Sequence, residues 1–143
     1  MFSQPVRSVM ERRKLLIAAP QTSVSAAAKM MADKQVGALL VVEGEQLVGI
    51  FTERDALFRV IASGRDPNST LLVEVMTPNP KTVAPEKSFG HAMLVMHENG
   101  FRHMPVIEQG KPIGIVSARD ALDPDMEEFV SEERRRKHLQ ATR

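Results

Sequence analysis

The chain matches itself. Sliding the sequence by 65 positions lays residues 36–57 over 101–122 without a gap. Eight of those pairs are identical, among them Gly49/Gly114, Ile50/Ile115, Arg54/Arg119 and Asp55/Asp120, and Thr52 falls on Ser117, so a hydroxyl is kept. The register reaches back: Pro20 meets Pro85, Ser23 meets Ser88, Ala27 meets Ala92 and Met31 meets Met96. After one gap, Val9-Met10 meets Val75-Met76. A duplication at one fixed offset means one supersecondary unit used twice, which narrows the fold to arrangements in which two like units share a core. The units span 6–63 and 72–123. The stretch 64–69, Gly-Arg-Asp-Pro-Asn-Ser, has linker chemistry between them, and a helical tail is expected over 124–143.

Each unit has the same layout. Val24, Ala27, Ala28 and Met31 are spaced as one face of a helix, as are Phe89, Ala92, Met93 and Met96. Ser23 and Ser88 stand at the N-cap of those helices. An apolar run follows each helix, 37–42 and 103–107, then a short turn containing Gly44 or Gly110, then a second run, 47–52 and 112–117. Two runs joined by a short Gly-bearing turn predict a hairpin. A strand is expected before each first helix, at 15–18 and 81–83, and a further helix is expected from Glu53 and from Ala118. The unit is therefore β-α-β-β-α, an α/β (α+β) fold. Neither unit is large enough to bury both faces of its sheet alone, so the pair is expected to pack as one pseudo-twofold body.

The end of each second run carries chemistry. A strand stops at a hydroxyl residue, Thr52 or Ser117, and an Asp follows three positions later in the first turn of a helix. Such an Asp can accept hydrogen bonds from two vicinal hydroxyls, as on a ribose, and the N–H groups of the helix start favour an anion. The same spacing also makes a capping box, with the hydroxyl at N-cap and an acid at N3. Capping boxes usually take Glu or Gln at N3, whereas here the acid is Asp both times.

Val75-Met76-Thr77-Pro78, Thr82-Val83-Ala84-Pro85, 101–106 (Phe-Arg-His-Met-Pro-Val) and 114–120 (Gly-Ile-Val-Ser-Ala-Arg-Asp) together resemble a CBS domain. The first unit repeats that frame more weakly and ends in Gly49-Ile50-Phe51-Thr52-Glu53-Arg54-Asp55. The chain thus resembles a tandem CBS pair, a Bateman module. The resemblance implies that the ribose Asp of one unit works with the first strand and hairpin start of the other. Site one would then use Thr52 and Asp55, with Lys81, Thr82 and Val83 near the base, Arg102, His103 and Pro105 opposite, and Arg119 reaching toward the phosphate. Site two would use Ser117 and Asp120 with Leu16, Ile17, Gly37 and Ala38, and Arg54 near the phosphate. The sites are unequal, because Gly37 and Ala38 stand where the other has Arg102 and His103.

Composition excludes several classes. The chain has no Cys, so disulfides are excluded, and its net charge of +1 gives no global attraction to nucleic acid or an acidic membrane. The apolar run after Arg12-Arg13-Lys14 is five residues long and stops at Pro20, too short for a signal peptide, so it reads as a strand after a basic turn. Nothing approaches a membrane span. His91, His97 and His103 are six apart, and residues six apart do not share a helix face, so no metal site is expected. No nucleophile–base pair and no phosphate-binding Gly loop is present. The tail places Glu127, Glu128, Glu132 and Glu133 before the basic run 134–138, an order that suits a helix dipole.

The function expected from the resemblance is a cytoplasmic, non-enzymatic regulatory module. It would bind an adenine nucleotide (AMP, ADP or ATP) and modulate an unidentified protein partner, a separate enzyme, transporter or channel. Assembly as a homodimer is expected, with no membrane. Two other readings stay open: a ligand-independent dimerisation or docking module, and a nucleic-acid binder acting through the basic tail. The sequence does not choose among adenosyl ligands, NAD(H) and S-adenosylmethionine included.

Overall fold

The structure, a computed structural model, describes residues 2–10, 15–121 and 123–141. In chain order the elements are α1 (Val6–Val9), β1 (Ile17–Ala18), α2 (Val24–Lys34), β2 (Ala38–Glu43), β3 (Gln46–Thr52) and α3 (Glu53–Asp55), which runs on as a π-helical segment (Ala56–Ile61). The second repeat supplies α4 (Leu72–Val75), β4 (Thr77–Pro78), α5 (Phe89–Asn99), β5 (His103–Glu108), β6 (Lys111–Ser117) and a 3-10 turn (Ala118–Ala121). The tail is the helix α6 (Asp123–Ala141). The β-α-β-β-α frame is observed in both repeats, with the opening strand of the second reduced to one bridge at Val83 and the helix expected from Ala118 replaced by the 3-10 turn. The basic turn 12–14 lies outside the described residues.

The predicted helix faces are the buried ones. Val24, Ala27 and Met31 of α2 and Phe89, Ala92 and Met96 of α5 are buried, while Ala28 is exposed. Ser23 accepts from the Ala26 N–H and Ser88 from the His91 N–H, each at 3.1 Å. Both hairpins are antiparallel, with Ala38 opposite Thr52 and His103 opposite Ser117. The first strand of each unit is short. β1 pairs in parallel with β2 over two residues, and the 81–83 segment makes one parallel bridge, Val83 to Val106.

Sequence order and spatial order part company at the start of each repeat. α1 packs against the second unit: the Val6 and Arg7 N–H groups donate to the Lys87 and Pro85 carbonyls, and Val6 and Met10 are buried beside Phe89, Met96 and Met104. Phe2 stacks on Phe89 with ring centres 5.9 Å apart. α4 does the reciprocal thing. Leu72 and Val73 donate to the Thr22 and Pro20 carbonyls, and Leu72, Val75 and Met76 are buried with Val24, Leu39 and Phe51 of the first unit. Each repeat thus lends its opening helix to the core of the other. β4 follows α4 onto the edge of the first sheet, giving the order β1-β2-β3-β4. Gly49 of β3 makes this possible, since a Cβ there would collide with the Met76 sulfur.

A third apolar layer lies between the two hairpins. Ala38, Leu40 and Ile50 are buried there, with Ile115 of β6 packed against them. Ile50 and Ile115 are repeat equivalents, so the hairpins face one another about a pseudo-twofold axis, as the repeat predicts. Ion pairs fasten both exchanged helices: Arg7 pairs with Glu86 (2.6 Å) and with Glu108, and Arg65 pairs with Glu74 (2.8 Å).

Candidate functional site

The exchange of opening segments brings the end of β3 against the second repeat, and a cavity of about 650 Å³ opens between them. That size falls in the range of small-molecule sites. One wall is the β3–α3 corner, with Ile50, Thr52, Glu53, Arg54, Asp55 and Arg59. A second is the segment leading from β4, with Thr77, Asn79, Pro80 and Lys81. The third runs from the end of α5 into β5, with Asn99, Gly100, Phe101, Arg102 and His103. Five residues expected at site one therefore meet: Thr52, Asp55, Lys81, Arg102 and His103.

Asp55 is the chemical centre of the corner. It is buried to 6% exposure. Its Oδ2 accepts from the Thr52 N–H at 3.0 Å, and the Thr52 hydroxyl accepts from the Asp55 N–H at 3.2 Å. That is the capping box allowed by the spacing. Its Oδ1 is held by Arg59, 3.5 Å away, and by the Thr77 hydroxyl at 3.4 Å. The Thr52 hydroxyl also donates to Oδ2 at 3.2 Å, so the roughly four lone-pair positions of the carboxylate are all engaged in the free protein. A ligand hydroxyl would reach Asp55 by replacing the Thr77 hydroxyl, the longest of these hydrogen bonds.

The cavity is rich in cations. Arg59 is committed, donating to the Met76 carbonyl at 2.9 Å as well as pairing with Asp55. Arg54 donates to the Gly100 carbonyl at 3.3 Å and lies over the Phe58 ring, 5.6 Å from its centre. Lys81 and Arg102 have no ion-pair partner among the described residues. His103 is half-buried, and its imidazolium is disfavoured: burial lowers its pKa below the ordinary value, Glu53 nearby opposes that shift, and Arg102 adds to it. The cavity therefore presents Lys81 on one wall, and Arg102 with an imidazole biased toward neutral on another.

The other expected residues stand elsewhere. Val83 and Pro105 are buried and paired through their backbones, the Val83 N–H donating to the Pro105 carbonyl at 3.0 Å. Thr82 is exposed beside them, and Arg119 is exposed on the 3-10 turn; none of the four lines the cavity. Arg54 was expected at site two, yet it lines the site-one cavity, because the side chain leaves α3 toward the C-terminal end of α5. Glu53, Asn79 and Phe101 were missed. Asn79-Pro80 directly before Lys81 was the available signal, as was Glu53 between the two marked residues of its motif.

At the second corner, Asp120 is buried and its Oδ2 accepts from the Ser117 N–H at 2.9 Å. Gly37 and Ala38 hold the place equivalent to Arg102 and His103, with the Glu53 N–H donating to the Gly37 carbonyl just as the Ala118 N–H donates to that of Arg102. Ile17 is exposed on β1 and Leu16 is half-buried. The equivalent of the Asn79–Lys81 wall falls on 13–16, partly outside the described residues. Among the described residues no cluster of His, Asp or Glu could hold a metal ion, and no helix is long and apolar enough to cross a membrane.

Two repeats of this fold, packed around a corner cavity with an acid at its base, define a class of paired-domain modules. The family profile of the CBS domain matches residues 6–62 and 72–126, and the chain belongs to that family. It is 46% identical over 101 residues to the mitochondrial CBS domain-containing protein CBSX3 of Arabidopsis thaliana, covering 67% of this chain and 49% of that one. Its fold is similar to that of an uncharacterized conserved protein from Pyrococcus horikoshii, with a TM-score of 0.80, 32% identity and coverage of 87% and 94% of the two chains. It is also similar to CBSX2, solved in complex with AMP, with a TM-score of 0.71, 26% identity and coverage of 87% and 97%. The chain spans from a fifth to a half of the length of the first curated relatives it matches.

Proposed function

We propose that this CBS pair is a non-enzymatic regulatory module that binds an adenine nucleotide in the cavity between β3 and the second repeat. One observation carries the reading: a buried Asp55 at the start of a helix shares a cavity with Lys81, Arg102 and His103. An acceptor for sugar hydroxyls and donors for phosphate are the two chemistries a nucleotide needs, and here they face one another. The AMP bound by CBSX2, of the same fold, supports the adenine nucleotide as the class. Thr82, Val83, Pro105 and Arg119 belong to the proposal as positions that come into reach if the β5 edge and the 3-10 turn close on the ligand. Leu16, Ile17, Gly37, Ala38, Ser117 and Asp120 form a second, less cationic site.

The two walls belong to different repeats, so a ligand bound between them stabilises one relative placement of the halves. That differential affinity is what lets it alter the surface seen by a protein partner. A cytoplasmic homodimer with a separate regulated partner is the corresponding cellular form. Thermal shift with AMP, ADP, ATP, NAD(H) and S-adenosylmethionine tests the proposal. A ligand at 100 times its Kd should add about 2.7 kcal/mol of stability. No shift with any of them overturns the nucleotide reading in favour of a ligand-independent docking module.

A further inference from the structure

The cationic cavity contains one acid that the capping and ribose roles do not use. Glu53 lines the wall beside Asp55, exposed, and its carboxylate has no hydrogen-bond or ion-pair partner among the described residues. It lies across Gly37: a Cβ on that glycine would sit 3.0 Å from Glu53 Oε1. It is also within electrostatic reach of His103 on the opposite wall. The repeat equivalents reverse the arrangement. Ala118 stands where Glu53 is, and Arg102 stands where Gly37 is, so the acid is peculiar to the first corner.

We propose that Glu53 is a specificity-determining residue that limits how many phosphates the cavity accepts, favouring the monophosphate over longer chains. The proposal rests on the nucleotide reading of the cavity. With the ribose at Asp55, the phosphates extend toward Arg102 and His103, the direction in which Glu53 also faces. The first phosphate is matched by Lys81 and Arg102. Each further phosphate adds about one negative charge and meets Glu53, while the other arginines lining the cavity, Arg54 and Arg59, are held by the Gly100 and Met76 carbonyls. Two unit charges about 6 Å apart in a water-like medium repel by roughly 0.7 kcal/mol, about threefold in affinity per charge. Building in a repulsive element is a recognised route to discrimination between related ligands.

Titration calorimetry of AMP, ADP and ATP, with divalent metals chelated and at low salt, tests this on the wild type, Glu53→Gln and Glu53→Ala. The expected result is an ATP-to-AMP affinity ratio that rises at least about threefold in both variants, with ADP between. A ratio that rises less than this, or equal tightening of all three ligands, overturns the inference and leaves the nucleotide site standing. If neither the wild type nor the variants bind any of the three, the nucleotide reading itself falls and takes the inference with it. Glu53 is exposed, so unchanged melting temperatures of the free variants are expected, and they separate a ligand effect from a folding one.

Discussion

The two halves of the molecule share one frame but furnish it differently. In the first, the motif corner opens into α3 and a π-helical segment, and its cavity is closed by Arg102 and His103 of the other repeat. In the second, the corner turns as a 3-10 segment, and Gly37 and Ala38 are the repeat equivalents of Arg102 and His103. Some core pairs are identical, as Ala27/Ala92, Met31/Met96 and Val41/Val106, and so are Arg54/Arg119 and Asp55/Asp120 at the corners, whereas Arg102 and His103 have only Gly37 and Ala38 as equivalents. The hydroxyl–Asp corner is thus common to both halves, and the residues equivalent to Arg102 and His103 are where they differ.

The comparison can be broken most severely at the exchanged helices. Leu72→Ala removes a fully buried side chain and should cost about 2–5 kcal/mol. The equivalent Val6→Ala should cost less, about 2 kcal/mol. Denaturant unfolding gives the totals, and hydrogen exchange gives the location. Although Leu72 belongs to the second repeat, protection should be lost first in α2 and β2 of the first. Loss confined to α5 and β5 would contradict the exchange.

The corners themselves come next. Asp55→Asn should weaken nucleotide binding at least about tenfold, or ~1.4 kcal/mol, while Asp120→Asn should change the tighter affinity by less. Because Arg59 also loses its carboxylate partner, Asp55→Asn should cost the free protein about 1 kcal/mol as well. Equal binding losses at the two positions would remove the distinction between the charged and the bare corner.

Where the halves are alike, their responses should agree. Ser23→Ala and Ser88→Ala each delete one N-cap of the same geometry, and each should cost about 1 kcal/mol. A difference larger than about half of that, measured by urea unfolding, would mean that α2 and α5 depend on their caps unequally.

The smallest expected effect is a titration. The Glu86 carboxyl is held below the ordinary value of 4.5 by Arg7, and Glu74 is held below it first by the Leu71 N–H and then by Arg65. Both pKa values are depressed on folding. Their contributions are therefore complete above the unfolded value and are lost as pH falls through the folded one. Arg7→Ala should return Glu86 to the ordinary range, whereas Arg65→Ala should leave Glu74 partly lowered, since the backbone donor remains. Carboxyl titrations by NMR read both directly.

The repeat, both hairpins, the helix faces and the N-caps were all readable in the sequence, because each depends on neighbours within a few residues. So was the pairing of hydroxyl residue and Asp at each corner, and with it the capping box of the first. The resemblance grouped Lys81, Arg102 and His103 with Thr52 and Asp55, some 30–50 residues away, and these five line one cavity. It did not locate Arg54. The direction of a long side chain at a helix start is decided by what the helix meets, here the Gly100 carbonyl and the Phe58 ring.

What the sequence determined by itself was the unit: its periodicities, its punctuation by Ser, Gly and Pro, and the fact that it occurs twice. What only the tertiary structure decided was which repeat each opening helix serves. Val6 and Leu72 have the same local pattern whichever core they enter, and burial is indifferent to chain order. That choice is made where the two hairpins pack through Leu40, Ile50 and Ile115, and it is the choice that sets Asp55 of one repeat against Arg102 and His103 of the other.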